Sequence, residues 1–317
     1  MNFNKPNILC VSLTPALDRY ISVNKLELGK INRFPSVIER AGGKSINGAR
    51  AVQYVGGNPL VISALGGHRG KAIIDYAQKE GIDLLSVVTE SETRQYLEIW
   101  DETSQVSTHF SERWSKVTPQ EWASCIQLID EQIKSSKKFS AAVIVGGMPM
   151  GVDFNEGYAL VKMFTEAGIS CYVDSTGDTL GSLIAAKPTA VKINQHEASN
   201  FLGINIESTE EALEACKQII SQGIEACIIT MEDQGAIGVT NSEAYSVKYQ
   251  NKGLWPVGCG DSFLAAMVVK RAQGEPWLKA MIAGTAAATA NAHCRISGRL
   301  NMEIYNRGLK GVQYKKF

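Results

Sequence analysis

No two cysteines stand at C-x-x-C spacing, and the seven present (Cys10, Cys125, Cys171, Cys216, Cys227, Cys259 and Cys294) are odd in number. A disulfide framework and a thiolate zinc site are therefore not expected, whereas reduced thiols in a cytoplasmic enzyme are. Histidine is scarce, four scattered residues, which argues against a histidine-built metal centre. Neither sign of charge is in excess, with 32 basic and 32 acidic residues. No global field then favours nucleic acid or a membrane surface, and an anionic ligand has to be held by local groups. No apolar run reaches the ~18 residues that a membrane helix needs. Met1 to Pro6 is polar, and Ile8 onward reads as a strand and not as a secretion signal. Two nucleotide-binding fingerprints are missing too. Gly43-Lys44-Ser45 ends like a P-loop, but position 38 is Ile where that motif needs Gly. The first strand runs into Ser12-Leu13-Thr14-Pro15 instead of G-x-G-x-x-G, which argues against a nicotinamide-binding domain.

What is present is the make-up of a folded α/β protein: 317 residues, 44% hydrophobic and 20% charged. Buried strands are expected at Ile8–Leu13, Leu60–Leu65, Ala142–Val145, Cys171–Val173, Ala190–Ile193 and Ala226–Thr230. Helical spacing fills the intervals between them. Thr118-Pro119-Gln120-Glu121 and Ser208-Thr209-Glu210-Glu211 read as capped helix starts. Such alternation implies a mostly parallel sheet covered on both faces, with ligands beyond the carboxyl ends of its strands. Between these units lie shorter, half-polar strands: Arg19–Val23, Phe34–Glu39, Leu84–Val88, Arg94–Trp100 and Val106–Phe110. Their alternation predicts a small sheet with one wet face, built from segments at about 14–40 and 84–112. Ala41-Gly42-Gly43-Lys44 reads as a loop. Helices at 261–273 and roughly 277–292 close the core, the second alanine-rich and so expected to pack closely.

The stretch Trp255-Pro256-Val257-Gly258-Cys259-Gly260-Asp261-Ser262-Phe263 carries the chemistry. Leu264, Met267, Val268 and Arg271 follow at helical spacing, so Asp261 sits near a helix start. A helix start offers unpaired N–H groups and the positive end of a dipole, a natural anion site. Glycines at 258 and 260 let backbone and ligand approach closely. An acid beside an anion site suits phosphoryl transfer: the amides hold the charge and the carboxylate takes the proton of an attacking hydroxyl. Asp is also a favoured N-cap, and the turn alone does not separate the two roles.

Several motifs, in order along nearly the whole chain, resemble the ribokinase-like (PfkB) carbohydrate kinases, and their hexose-phosphate branch in particular (1-phosphofructokinase and tagatose-6-phosphate kinase). Thr14-Pro15-Ala16-Leu17-Asp18-Arg19 looks like N-P-A-x-D, and Gly29-Lys30-Ile31-Asn32-Arg33 like G-x-x-N-R. Ala41-Gly42-Gly43-Lys44-Ser45-Ile46-Asn47, with Ala49, Gly56 and Gly66, keeps the spacing of the first signature. Gly146-Gly147-Met148-Pro149-Met150-Gly151 sits one place off S-G-S-L-P-x-G. Lys192-Ile193-Asn194-Gln195-His196-Glu197 matches K-P-N-x-x-E, and Thr230 to Ala236 matches T-x-G-x-x-G-A.

The resemblance implies a ribokinase-like three-layer α/β/α fold over residues 1–317, with the small sheet as a lid that pairs two copies into a homodimer. It implies ATP and Mg²⁺ as cofactors, leaves a monovalent cation open, and implies transfer to a phosphorylated ketohexose. Tagatose 6-phosphate and fructose 1-phosphate come ahead of fructose 6-phosphate. Asp261 is expected as the base, with the amides around Gly258, Cys259 and Gly260 holding the moving phosphoryl group. Asp18, Gly42, Gly43 and Asn47 are expected on the sugar, and Lys30, Arg33, Lys44, Arg94 and Gly147 at its phosphate. Arginine's fork suits phosphate oxygens. Lys192, Asn194, Thr230, Glu232, Gly235, Gly258, Gly260 and Asn291 are expected on the nucleotide. Asn194 and Glu197 would reach the metal through water. Departures at Ser45, Gly48, Gly147, Ile193, Glu232, Trp255 and Cys259 bear on which sugar is taken and on turnover. Two other readings stay open: a kinase for an unphosphorylated sugar or nucleoside, and a sugar-phosphate-binding regulator with little catalysis.

Overall fold

The computed structural model describes residues 5–317. Its strands follow from apolar runs that have no wet face. In β1 (Asn7–Ser12), Ile8 and Cys10 point into one core and Leu9 and Val11 into the other, as a strand covered on both sides requires. The chain continues with β2 (Ala16–Val23), β3 (Val37–Gly42), α1 (Lys44–Tyr54), β4 (Asn58–Gly66), α2 (Gly67–Lys79), β5 (Asp83–Thr89), β6 (Gln95–Asp101) and β7 (Val106–Ser111). Next come α3 (Pro119–Lys134), β8 (Ala141–Val145), α4 (Glu156–Glu166), β9 (Ser170–Asp174), α5 (Gly177–Ala185), β10 (Ala190–Asn194), α6 (Gln195–Leu202) and α7 (Thr209–Ile220). The last part holds β11 (Ala226–Thr230), β12 (Ala236–Thr240), β13 (Ala244–Lys248), α8 (Cys259–Ala272), α9 (Trp277–Ala292), α10 (Met302–Gly311) and β14 (Gln313–Lys316).

Ten strands form one sheet in the order β14-β13-β12-β11-β10-β9-β8-β1-β4-β5. From β11 to β5 neighbours run parallel, and β12, β13 and β14 add an antiparallel edge. One face packs on α1, α8, α9 and α10, the other on α3 to α7. The alanine-rich α9 approaches α8 so closely that a Cβ on Gly284 would lie 3.0 Å from the Phe263 ring. Both capped helix starts form as expected, each with reciprocal side-chain and backbone bonds, at Thr118 with Glu121 and at Ser208 with Glu211. No described helix is long and apolar enough to cross a membrane.

A separate four-stranded sheet, β3-β2-β6-β7, stands over the carboxyl ends of the large sheet's strands. Its expected membership needs one correction. Leu84–Val88 lies in β5, paired in parallel with β4 at the edge of the large sheet. An edge position explains the half-polar pattern: Leu84 packs on one core and Leu85 and Val87 on the other, while Val88 is left 78% exposed. Boundaries differ as well. β3 runs through Gly42, so only Gly43 separates it from α1, and α8 begins at Cys259, ahead of Asp261. Beyond residue 292 the sequence predicted no element, yet α10 and β14 form. β14 is Gln-Tyr-Lys-Lys with every side chain exposed, an edge strand without an apolar signal.

The small sheet is tied down through its inner face. Arg295 donates to Glu98 (3.4 Å), to Ser22 Oγ (2.6 Å) and to the Ile21 carbonyl (2.6 Å). Tyr20 Oη accepts from the Ser297 amide, and the Trp100 ring tilts against Trp255, centroids 5.7 Å apart. The sheet is thus anchored directly to the segments before α8 and after α9.

Candidate active site

A cleft of about 1140 Å³ opens between the two sheets, where the parallel strands end and α1 and α8 begin. Asp261, in the first turn of α8, lines it and is largely buried. Gly258 caps α8 with φ 85° and offers no side chain to the helix amides. The amides of Gly260 and Asp261 find no acceptor among the described residues, so they remain available to an anion. Asn47 Nδ2 donates to Asp261 Oδ2 at 3.2 Å. The orientation of that amide is set by Arg50, one helical turn on, which donates to Asn47 Oδ1 and to the carbonyls of Ala41 and Ser297. Burial pushes Asp261 up to about 6, against the pull of Lys44 and Lys192 and with a further push from Asp174.

Asp174, at the carboxyl end of β9, is the buried hub that no sequence motif pointed to. One oxygen accepts from Lys44 Nζ and the other from Lys192 Nζ, each at 2.6 Å. Burial works against its charge, but Lys192 and Lys44 hold it well below the usual carboxylate range. Burial likewise opposes the Lys44 ammonium, which Asp174 and then Glu197 hold above the usual lysine range. Lys192 Nζ lies 2.7 Å from where a Cβ on Gly260 would stand, so only glycine admits the ammonium to the start of α8. The α8 turn, two lysines and Asp261 together form a compact site for a negatively charged group beside a base.

Asp18, in β2, also lines the cleft and is buried, with Tyr20 Oη donating to it at 3.3 Å. Burial raises it to about 7, against Arg50 and Arg94. Gly42 makes room for it: a Cβ there would lie 2.0 Å from the Asp18 carboxyl carbon. Gly43 turns the chain into α1 with φ 91°, where a Cβ would meet the Thr14 carbonyl at 2.9 Å. Arg94 lines the same end, donating to Ser111 Oγ (2.8 Å) and to the Thr14 carbonyl (3.2 Å).

Five expected residues do not line the cleft, the first being Gly42, which packs against the Asp18 carboxyl. Lys30 and Arg33 lie on the exposed loop joining β2 to β3, where Lys30 pairs with Glu27 at 2.9 Å. That loop follows the end of β2 remote from Asp18. Asn291 is completely buried and fully engaged, donating to the Val257 carbonyl (2.8 Å) and accepting from the Gly298 amide (2.6 Å) and Ser262 Oγ (3.1 Å). It braces the turn before α8 instead of facing a nucleotide. Gly147 is covered by the Trp114 indole, which would lie 2.1 Å from a Cβ at that position.

At the opposite end Lys192, Asn194, Glu197, Thr230, Glu232 and Gly235 all line the cleft. Glu232 opens a single 3-10 turn with φ 44°, a left-handed conformation that Glu adopts with strain. Asn194 and Glu197 cap α6 reciprocally: Asn194 Oδ1 accepts from the Glu197 amide (2.9 Å), and Glu197 Oε2 from the Asn194 amide (2.8 Å). Glu197 Oε1 faces Lys44 Nζ at 3.5 Å. Among the described residues no three His, Cys, Asp or Glu side chains gather into a metal cage. Mg²⁺ beside nucleotide phosphates needs only one or two carboxylates plus waters, and Glu197 fits that part. Cys259 lines the cleft, but burial pushes its thiol up to about 12, so it contributes its position at the helix start and not a thiolate. Sequence reading missed Asp174, Arg50, Tyr96, Ser111 and the segment Lys248–Gly253. For Asp174 the signal was an acid at the end of a buried strand.

The profile described as "pfkB family carbohydrate kinase" matches residues 5–300. The chain belongs to this family. Among curated proteins, the ATP-dependent 6-phosphofructokinase isozyme 2 of Escherichia coli (strain K12) is 28% identical over 296 residues, 91% of this chain and 94% of that one. A crystal structure of phosphofructokinase-2 from Escherichia coli, in complex with substrates and products, superposes with a TM-score of 0.86 at 25% identity, covering 97% of this chain and 99% of the other. A possible 1-phosphofructokinase from Thermotoga maritima gives 0.89 at 23% identity, covering 98% and 99%. As a pfkB family member this protein is a carbohydrate kinase, a phosphotransferase with an alcohol acceptor, and the two-sheet ribokinase-like α/β architecture is the family's.

Proposed function

We propose that this kinase transfers the γ-phosphoryl group of ATP to a hydroxyl of a phosphorylated ketohexose, with tagatose 6-phosphate and fructose 1-phosphate as leading acceptors. Fructose 6-phosphate follows, in keeping with the name of the Escherichia coli relative. The observation that carries the reading is Asp261 standing beside the uncapped start of α8, with two lysines held on Asp174. Asp261 takes the acceptor's proton as the hydroxyl oxygen bonds to the γ-phosphorus, and the bond to the β–γ bridging oxygen breaks to release ADP. The amides of Gly260 and Asp261, with Lys192 and Lys44, hold the charge on the moving group. Asp18 and Asn47 orient the sugar, and Arg94 faces its phosphate. Thr230, Glu232 and Gly235 line the nucleotide's path. Asn194 and Glu197 would hold Mg²⁺ through water, and the ion would supply neutralisation of phosphate charge.

The small sheet serves as a lid. Its exposed Leu28, Ile31, Phe34 and Phe110 suit pairing of two copies into a homodimer, which light scattering tests. ADP release measured across hexose phosphates and their parent sugars tests the reaction. Turnover on a hexose phosphate supports it, and turnover confined to unphosphorylated sugars overturns it.

A further inference from the structure

We propose that Tyr96 is a specificity-determining residue for the phosphate-bearing end of the acceptor, with its hydroxyl fixed by His109. This rests on the phosphosugar reading above. In the small sheet Asp18 pairs with Tyr96, and Tyr96 with Ser111, so the three side chains share one face in one row. All three line the cleft. Each step between strands is about 4.8 Å, so the row extends roughly 10 Å from Asp18, about the reach of a hexose and its phosphate. Asp18 stands at the catalytic end, close enough to Asp261 for that carboxylate to raise its proton affinity, and Arg94 and Ser111 stand at the far end.

The far end is built differently from what its sequence motif suggests. Position 147 carries no side chain, and the Trp114 indole fills the space that one would need. Ser115, next to Trp114, holds the Arg94 amide at 2.9 Å, and the Arg94 guanidinium is pinned by Ser111 and the Thr14 carbonyl. Its Nε is buried without a partner among the described residues. Hydroxyl groups to accompany this arginine therefore come from the sheet above and not from the loop at 146–151. Ser111 is one, and Tyr96 is the other. Tyr96 Oη and His109 Nδ1 share a hydrogen bond of 2.6 Å, and the two rings stack at 5.7 Å with planes 18° apart. With the Nδ1–H tautomer of His109 donating to it, the phenol is held in one direction and keeps its own proton for a phosphate oxygen near the Arg94 guanidinium.

The test is steady-state kinetics of Tyr96→Phe and His109→Gln on the best hexose phosphate, on its parent sugar, and on ATP. Tyr96→Phe is expected to raise KM for the sugar phosphate about tenfold, the scale of a hydrogen bond lost to a charged group. KM for ATP and kcat at saturation should stay within about twofold, since neither reacting group is touched. His109→Gln, acting through Tyr96, should move the same KM in the same direction by less, again sparing kcat. An unchanged KM in Tyr96→Phe, or equal losses on ATP and sugar, overturns the assignment while leaving the kinase reading intact. A wild-type enzyme that accepts only unphosphorylated sugars overturns both.

Discussion

Two helices aim their first turns into one cleft and treat them in opposite ways. α6 consumes its own start: the Asn194 and Glu197 side chains bond the backbone amides there. α8 leaves its start open. Its cap is a glycine with φ 85°, and the amides of Gly260 and Asp261 have no acceptor among the described residues. A satisfied helix end has little left for a ligand, whereas an open one, with lysines beside it, keeps both donors and dipole for an anion. The contrast teaches that an acid in a helix's first turn is not one kind of residue. Glu197 turns half of its carboxylate inward as a cap, while Asp261 is free of that duty and is held by Asn47.

The sharpest way to break this comparison is at Asp261. Asp261→Asn keeps shape and removes the carboxylate proposed as the base, and kcat should fall by about 10²–10⁴-fold. Binding of ATP, followed by its stabilisation against heat, should persist. Near-normal turnover would put the two helix starts on a par. The wild-type pH profile reports on the same group. Only the ionised carboxylate accepts a proton, and burial raises Asp261 to about 6, so kcat should be level above that value and fall as pH drops through it.

Asp174→Asn should come next in size, lowering kcat by roughly tenfold to a hundredfold, less than the about 10²–10³-fold of a donor lost from the transition state, because Asp174 acts through the two lysines. Its more telling readout is the acid limb. The Asp174 charge pushes Asp261 up, and its removal also leaves Lys44 and Lys192 unopposed. Both effects lower the Asp261 pKa, so the limb should move to lower pH. A lower kcat with an unmoved limb would mean that Asp174 only supports the fold.

The same contrast shows which parts of the site a sequence reveals. The start of α8 is written locally: two glycines, an acid and then helical spacing, all within a dozen residues. The buried strands are equally plain, because a strand covered on both faces has no polar alternation to confuse it. What stayed hidden is assembled at a distance. Asp174 meets Lys192 across 18 positions and Lys44 across 130, and no spacing rule connects them. Lys30 and Arg33 have the right chemistry for a phosphate but sit on the exposed loop at the end of β2 remote from Asp18. Asn291 is polar near the nucleotide motifs, yet burial gives it a structural duty before α8. Charge type is legible in a chain, whereas the direction a side chain faces depends on the strand beside it.

The smallest effect is expected at the closed helix start. Asn194→Ala removes the side-chain half of the α6 cap, and lost caps of this kind cost about 1 kcal/mol. For a chain of 317 residues that lowers Tm by roughly 1–2 °C. Glu197 keeps its bond from the Asn194 backbone amide, so its carboxylate stays in place, and the Mg²⁺ concentration needed for half-maximal rate should rise only a few-fold. The kcat at saturating Mg²⁺ should remain within about tenfold of wild type, far above Asp261→Asn. Calorimetry and a Mg²⁺ titration of the rate measure the two quantities separately. A loss of kcat as deep as that of Asp261→Asn, with little change in Tm, would show that α6 contributes to the reacting centre itself and that its cap is the lesser of its duties.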